Sequence, residues 1–522
     1  YVQADGLQTI GYDHGDYNVV TNYVKGNNSY TVFAGANYSH VDGTETWNNE
    51  NYQFPQSLFD RESYSKNSYQ NHQEYMQFRY QNQKGKRYWV GKFTLVNLST
   101  PRNASSGFAR ESTETDIFSN IRKKSLSPKI DLNANLPLSK NQTLTLGVHG
   151  KYSANSYHRL YQEQPFETMT DEDEKALSFQ LSAIYNYFSQ KHSLSVELFH
   201  YHDVWNADYS GNCELWQHLW KGESLAFFSY NFQASRRLSL KTRIGLDWLQ
   251  YHLHGDNSFS QLSPRINTNV QYQLNKGMLL WSFNFVNSNH GMDVINRAMI
   301  QVNSHMMEKG MPELKKSHDI NTYLYYMGRF NRLSVSAIGQ FRYNHHPVTD
   351  DYYLDEANGK IVKTYSNGGN AQYYSAILAL QYKLCKFANL SGDIRYNHAE
   401  VKTTWSKHNN NLTGNLGLNM FMGDFALKPY LHFGKKSLDE AALVISKTPI
   451  DYGMSCSYSR GNLYVELQAV SPFKKQEKQY WLDLPIYSYS KSIKDQTASQ
   501  YASIKVAYSF DFGRKTQKVE KD

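Results

Sequence analysis

Apolar and polar residues alternate along most of this chain, and ten short polar turns cut the alternation at near-regular intervals. After the turn Lys25-Gly26-Asn27-Asn28, the residues Tyr30, Val32, Ala34, Ala36 and Tyr38 share one face. Ser29, Thr31, Gly35 and Asn37 share the other, with Phe33 the one exception. A period of two is that of a strand rather than a helix. Tyr30 and Tyr38 lie about 27 Å apart along a strand rising ~3.4 Å per residue. A tilt of about 40° lowers that to a height of about 21 Å, close to the ~25 Å apolar band of a membrane barrel. Aromatic ends, an aliphatic middle and a polar reverse face describe a strand with lipid on one side and water on the other.

The pattern recurs. Ile130, Leu132, Ala134 and Leu136 lead into the turn Pro137–Asn141, and Leu144, Leu146, Val148 and Tyr152 lead out. Leu238, Leu240, Ile244, Leu246 and Trp248 alternate with Ser239, Lys241, Arg243 and Asp247. Tyr452, Met454, Cys456 and Tyr458 precede Ser459–Asn462, and the chain closes on Ala502, Ile504, Val506, Tyr508, Phe510 and Phe512. A soluble sandwich also alternates, but has no need of aromatic residues at both ends of its aliphatic stripes.

The ten turns fall near 25–28, 82–86, 137–142, 189–191, 235–237, 275–277, 329–332, 385–388, 422–424 and 459–462. Longer polar segments separate them, at 40–71, 98–127, 153–174, 202–222, 253–263, 286–318, 344–370, 398–410, 434–449 and 471–498, and read as extracellular loops. Twenty strands flank the turns; Ser499–Phe512 makes twenty-one, and Leu7–Tyr12 makes twenty-two, although Asp13–Asp16 is short for the loop that follows. The sequence therefore predicts an all-β chain: a closed antiparallel transmembrane barrel of about 22 strands over 1–513, both termini periplasmic, with a short basic tail at 514–522.

Composition narrows the class. Mean hydropathy is −0.67, and no stretch approaches the ~20 apolar residues of a spanning helix. A barrel tolerates that average because half of each strand is polar. The 42 Tyr, 26 Phe and 9 Trp suit interfacial girdles, and only 12 Pro suits a chain built of ladders. The net charge of +8 is scattered without a basic stripe, so no nucleic-acid partner is expected. Cys213, Cys385 and Cys456 are too dispersed for a disulfide framework, and Cys456 sits on a lipid row.

Gly310-Met311-Pro312-Glu313-Leu314-Lys315, just ahead of a strand at Asp319, resembles the Gly-Asn-Pro-x-Leu-x-Pro-Glu signature that precedes a mid-barrel strand in TonB-dependent receptors. Leu262-Ser263-Pro264-Arg265 and the ending Val506–Gly513 resemble the Bacteroidetes-type branch of that family. Met311 stands where the family prefers Asn, and Lys316 where it prefers Pro. The resemblance spans essentially the whole chain as the barrel portion of such a receptor, and it implies a plug domain upstream. It further implies active import of a scarce nutrient driven by the TonB complex through the plug, in outer-membrane lipid and lipopolysaccharide, with a surface lipoprotein as a possible partner. The alternative is a passive porin-like, structural or secretion-associated barrel.

Catalytic signatures are missing: there is no Gly-x-Ser-x-Gly elbow, no His-Glu-x-x-His and no phosphate-cradling loop, so no enzyme and no cofactor is expected. Alternation aims His149, Lys151, Lys241, Arg243 and Asp247 into the lumen, on strands 7 and 11, for contact with a plug or a substrate. Among the loops, Asp171–Glu174 offers oxygen ligands for calcium, although charge runs are usually solvated. His345 and His346 with Asp350 and Asp351 offer transition-metal ligand types. Arg297-Ala298 and His305 ahead of Gly310 resemble a fragment of a haem-receptor motif whose Phe and Pro are absent here. Trp47, Tyr52, Tyr64, Trp205, Trp405 and Trp481 provide aromatic surface for a ligand or for loop packing.

Overall fold

Each foreseen turn closes a hairpin. A computed structural model describes residues 1–54, 57–256, 258–288, 290–495 and 499–510, so the basic tail at 514–522 lies outside the described residues. Strands end and restart at Lys25/Asn28, Lys84/Arg87, Ser139/Gln142 and so on to Arg460/Leu463, matching all ten turns. Gly26 adopts φ 60° in the first of them, a left-handed conformation that a side chain would oppose. Following the ladders from Val2–Ile10 around to Tyr501–Phe510, which pairs back onto Val2–Ile10, gives a closed antiparallel barrel of 22 strands.

The inside–outside alternation is the one foreseen. Ile244, Leu246 and Trp248 are exposed on the eleventh strand, Leu238–Leu253, and lie opposite Phe228, Ala226 and Leu262 on the neighbouring strands. Together they make a continuous lipid row, while Arg243 and Asp247 point to the other side. Leu246→Arg is therefore expected to impair insertion, at a cost of about 2–4 kcal/mol for a cation at mid-bilayer. Arg243→Leu should still insert, with refolding into lipid vesicles read by heat-modifiable gel migration as the check. Reversed phenotypes would overturn the register of this strand.

The structure departs from the sequence reading above the membrane. Most segments read as loops continue the wall as strand: Asn28–Phe54 and Ser57–Lys84 hold 27 and 28 residues. Such a strand is about 90 Å in contour, several times what the lipid band requires. Residues 40–54, 98–110, 114–127 and 153–163 thus belong to ladders, and Asp171–Glu174 lies within the strand Phe166–Phe188. A register shift between Asp42 and Thr44, with Gly43 at φ 78°, bends the wall on one of these strands. The first hairpin turns at residues 11–12, and Asp13–Asp16, read from the sequence as its connection, already belongs to the strand Asp13–Lys25. Above it, Tyr487–Asp495 pairs directly with Asn28–Phe54, from Tyr487 against Tyr52 to Lys494 against Glu45, and carries the wall over the gap.

Two connections do not join the wall. Residues 290–316 carry a short helix, Met292–Ile295, and the strands Met299–Gln301 and Met306–Lys309. The connection after His345 carries the hairpin Thr349–Asp355/Lys360–Ser366. The four strands form one small sheet, with Met306–Lys309 parallel to Lys360–Ser366. Met292, Ile295, Ala298 and Leu314 pack on the inward-facing Leu219, Leu253, Ala207 and Tyr209, so this sheet sits inside the barrel.

Candidate functional site

The inserted sheet is held to the wall at two buried ionic centres, each assembled from residues far apart in sequence. At the extracellular end, Arg61 is almost wholly buried and donates to Glu50 Oε2 (2.7 Å), Glu163 Oε1 (2.9 Å) and the Tyr161 hydroxyl (3.0 Å). Glu111 lies 3.6 Å away as a further carboxylate. Glu50 also accepts from the hydroxyls of Tyr52 (3.0 Å) and Tyr487 (2.7 Å), and Glu163 accepts from Ser304 on the inserted segment (3.1 Å). Asn303 donates to the Tyr52 hydroxyl at 3.3 Å, and His305 contacts Glu111 at 3.0 Å. Burial opposes the charge on Arg61, yet Glu50 and Glu163 outweigh it and raise its pKa above the ordinary value. Burial and the Glu50 carboxylate push the Tyr52 and Tyr487 phenols well above their usual range.

Apolar packing completes a roof around this centre. Tyr52, Tyr352, Ile361, Val401, Leu443, Leu482 and Tyr487 are buried in one cluster drawn from wall strands, from the connections above the last strands and from the inserted hairpin. Next to it, Lys363 meets Asp350 at 3.2 Å and Glu308 at 3.3 Å. Burial raises the Asp350 carboxyl above the usual range, and the carboxylates around Lys363 outweigh its own burial to raise the ammonium.

The second centre lies lower. The side chains of Lys316 and Asp247 are completely buried, with Lys316 Nζ 2.8 Å from Asp247 Oδ2. Arg265 reaches the same oxygen at 2.6 Å and Glu223 at 3.0 Å, so two cations and two carboxylates alternate. Lys316, which departs from the Pro of the family signature, thus ties the inserted segment to the wall at this centre. Gly310 of that signature is required by close approach: a Cβ there would lie 2.3 Å from the Asn296 carbonyl oxygen. Pro312 O accepts from Tyr251 at 3.3 Å, Leu314 is buried, and Glu313 is exposed.

Between wall and inserted segment lies a cavity of about 860 Å³. Tyr157, Tyr209 and Tyr365 supply aromatic faces, Lys123, Arg159 and Lys309 supply cations, and Glu172, Glu174, Asp293 and Glu308 supply carboxylates. Arg159 is oriented by the carbonyl oxygens of Gln301 (2.9 Å) and Val302. Burial raises the Glu172 carboxyl, although it accepts a hydrogen bond from Tyr209 at 3.0 Å.

The residues singled out from the sequence disperse. His149 contacts Asp131 at 2.6 Å, Lys151 is exposed on the lumen row, and Lys241 lies two residues from Arg243 on the same row. Arg243 pairs with Glu197 at 2.6 Å and stacks over Phe227, its guanidinium carbon 3.5 Å from the ring centre. Of these residues, Asp247 alone meets the inserted segment at an ionic centre. The His345 and His346 rings lie 3.9 Å apart, tilted by 41°, but His346 Nδ1 is engaged by Asn367 O, Asp350 by Lys363, and Asp351 by the Trp405 indole at 2.8 Å. Among the described residues no group of three or more His, Cys, Asp or Glu is placed to hold a metal ion. Arg297 donates to Gly255 O at 3.0 Å and is committed to the wall. Within the acidic run, Asp171 meets His158 at 2.6 Å and Glu174 meets Asn155 at 2.7 Å. Arg61, Glu50, Glu163 and Lys316 carried no sequence signal as site residues, since their partners are fixed by strand pairing and loop insertion alone.

No family model matches the sequence, and no curated protein matches it. Solved structures do match the fold. The copper transporter OprC superposes with a TM-score of 0.65 at 10% identity, over 98% of this chain and 80% of that one. The FrpB iron transporter from Neisseria meningitidis gives 0.60 at 8%, over 97% and 81%. The siderophore receptor PiuA from Acinetobacter baumannii gives 0.62 at 10%, over 97% and 81%. The chain shares the fold of these transporters and this receptor, here a closed barrel of 22 strands.

Proposed function

We propose that this barrel is the transmembrane part of an outer-membrane active transporter that imports a scarce nutrient. The observation that carries the proposal is the roofed lumen: a 22-strand barrel closed at its extracellular end by its own inserted segments, with a cavity beneath. A passive pore needs an open path, whereas this mouth must move to admit a solute. In the TonB-dependent scheme that motion and the passage that follows are driven from the inner membrane through a plug, which would occupy the lumen below the inserted sheet. The similar structures transport copper, iron and siderophores, and the mixed lining of carboxylates, cations and tyrosines suits a polar, multiply charged solute of that general kind. Lys151 and Lys241, exposed on the lumen row, are then contacts for the plug or the passing solute.

Competitive growth on limiting iron chelates, haem, copper, peptides and glycans tests the proposal. The nutrient on which a deletion strain fails should be the one on which a strain lacking the inner-membrane energising complex fails. Uptake that survives loss of that complex would show a passive channel instead. So would steady open conductance of the purified full-length protein in a planar bilayer.

A further inference from the structure

The outer surface of the barrel carries a second groove, of about 860 Å³, beside the strand break at residues 433–434, between Phe425–His432 and Lys435–Asp439. Its floor is apolar and unusually open: Leu412 is 70% and Ile394 61% exposed, with Phe433 and Ile450 also exposed beside them. Ile394 and Leu412 lie on the outward row of Ala388–Lys402 and Ser406–Met422. That row is apolar through Leu390, Ile394 and Tyr396, and then turns to His398, Glu400 and Lys402. The groove thus sits at the upper edge of the lipid band, continuous with it.

Directly above, Lys436 and Lys447 face each other across the ladder of Lys435–Asp439 with Val444–Thr448. Both are exposed, and neither makes an ion pair among the described residues. Like charges directly opposed on paired strands repel. Lys436 is held there by its backbone, which donates to Asn411 Oδ1 (2.8 Å) and accepts from Asn409 Nδ2 (2.9 Å). Trp481, whose strand pairs with this hairpin, lines the same groove, as expected for an indole at a membrane interface.

We infer that this groove is a binding site for a phosphorylated membrane lipid of the outer leaflet: acyl chains lie on Ile394, Leu412, Phe433 and Ile450, and the phosphate bridges Lys436 and Lys447. An anion between two opposed ammonium groups removes their repulsion and gains charge-assisted hydrogen bonds. Burying chains on the exposed apolar floor contributes in proportion to area. The inference rests on the outer-membrane location and not on transport, so a passive channel would leave it standing.

Native mass spectrometry of the full-length protein in mild detergent, titrated with bis-phosphorylated lipid A, tests it. Lys436→Met/Lys447→Met should lower lipid A occupancy about tenfold or more, the equivalent of losing a charge-assisted contact. Lys383→Met/Lys386→Met, at a turn on the opposite rim, should leave it unchanged. Dephosphorylated lipid A should bind the unaltered protein as weakly as lipid A binds the double variant. Heat-modifiable migration of both variants verifies folding. Equal lipid A occupancy in the folded Lys436/Lys447 variant would overturn the assignment, as would full displacement by millimolar inorganic phosphate.

Discussion

Replacing Arg61 by Met is expected to open the extracellular mouth. Arg61 stands between Glu50 and Glu163, at 2.7 and 2.9 Å, and all three side chains are nearly inaccessible to water. Removing the cation leaves two buried carboxylates with hydroxyl donors but no paired charge, and breaking one partner of a buried pair costs about 3–5 kcal/mol. The roof relieves that cost by admitting water, which separates the strand tips from Asn303 and Ser304 of the inserted segment. The expected signs are faster proteolysis near Ser304–His305 and measurable bilayer conductance. The triple variant Arg61→Met/Glu50→Gln/Glu163→Gln removes the stranded charges and should regain much of the closure. If Arg61→Met left protection and conductance unchanged, this ionic centre would not be what holds the roof.

Lys316→Met is the second large effect, on the lower anchor. Lys316 and Asp247 meet at 2.8 Å with no solvent exposure of either side chain. Met preserves much of the side-chain volume but leaves Arg265 to balance both Asp247 and Glu223, a net buried negative charge. The loss is again about 3–5 kcal/mol by the same reasoning. It should appear as release of the 290–316 segment, with faster hydrogen exchange over Met299–Gln301 and Met306–Lys309, while the barrel itself stays inserted. Lys316→Met/Asp247→Asn should restore protection in part. A variant whose inserted strands exchanged as slowly as before would refute the anchor.

The two anchors share one principle. Glu163 and Asp247 belong to the rigid wall, Ser304 and Lys316 to the inserted segment, so a ligand or plug that disturbs either contact would bias the segment toward release. Mobility can then be confined to the lumen while the ladders that cross the membrane remain intact.

The membrane wrote its part of this structure into the sequence directly. Where lipid faces one side of a strand and water the other, every second residue is constrained, and a row such as Ile244, Leu246 and Trp248 against Arg243 and Asp247 can have one orientation only. Strand count, turn positions, the lipid face and the inward aim of Asp247 followed from that single condition. Above the membrane the condition lapses. Residues such as His40–Phe54 have lipid on neither face, so they lose the alternation while staying paired in the ladder, and they read as loops. The roof and its anchors were illegible for a different reason. Arg61 meets Glu163 across 102 positions, and Tyr487 meets Glu50 across 437. Such contacts exist only once the ring of strands has closed and folded two of its connections inward, because no local rule of spacing or periodicity links residues that far apart.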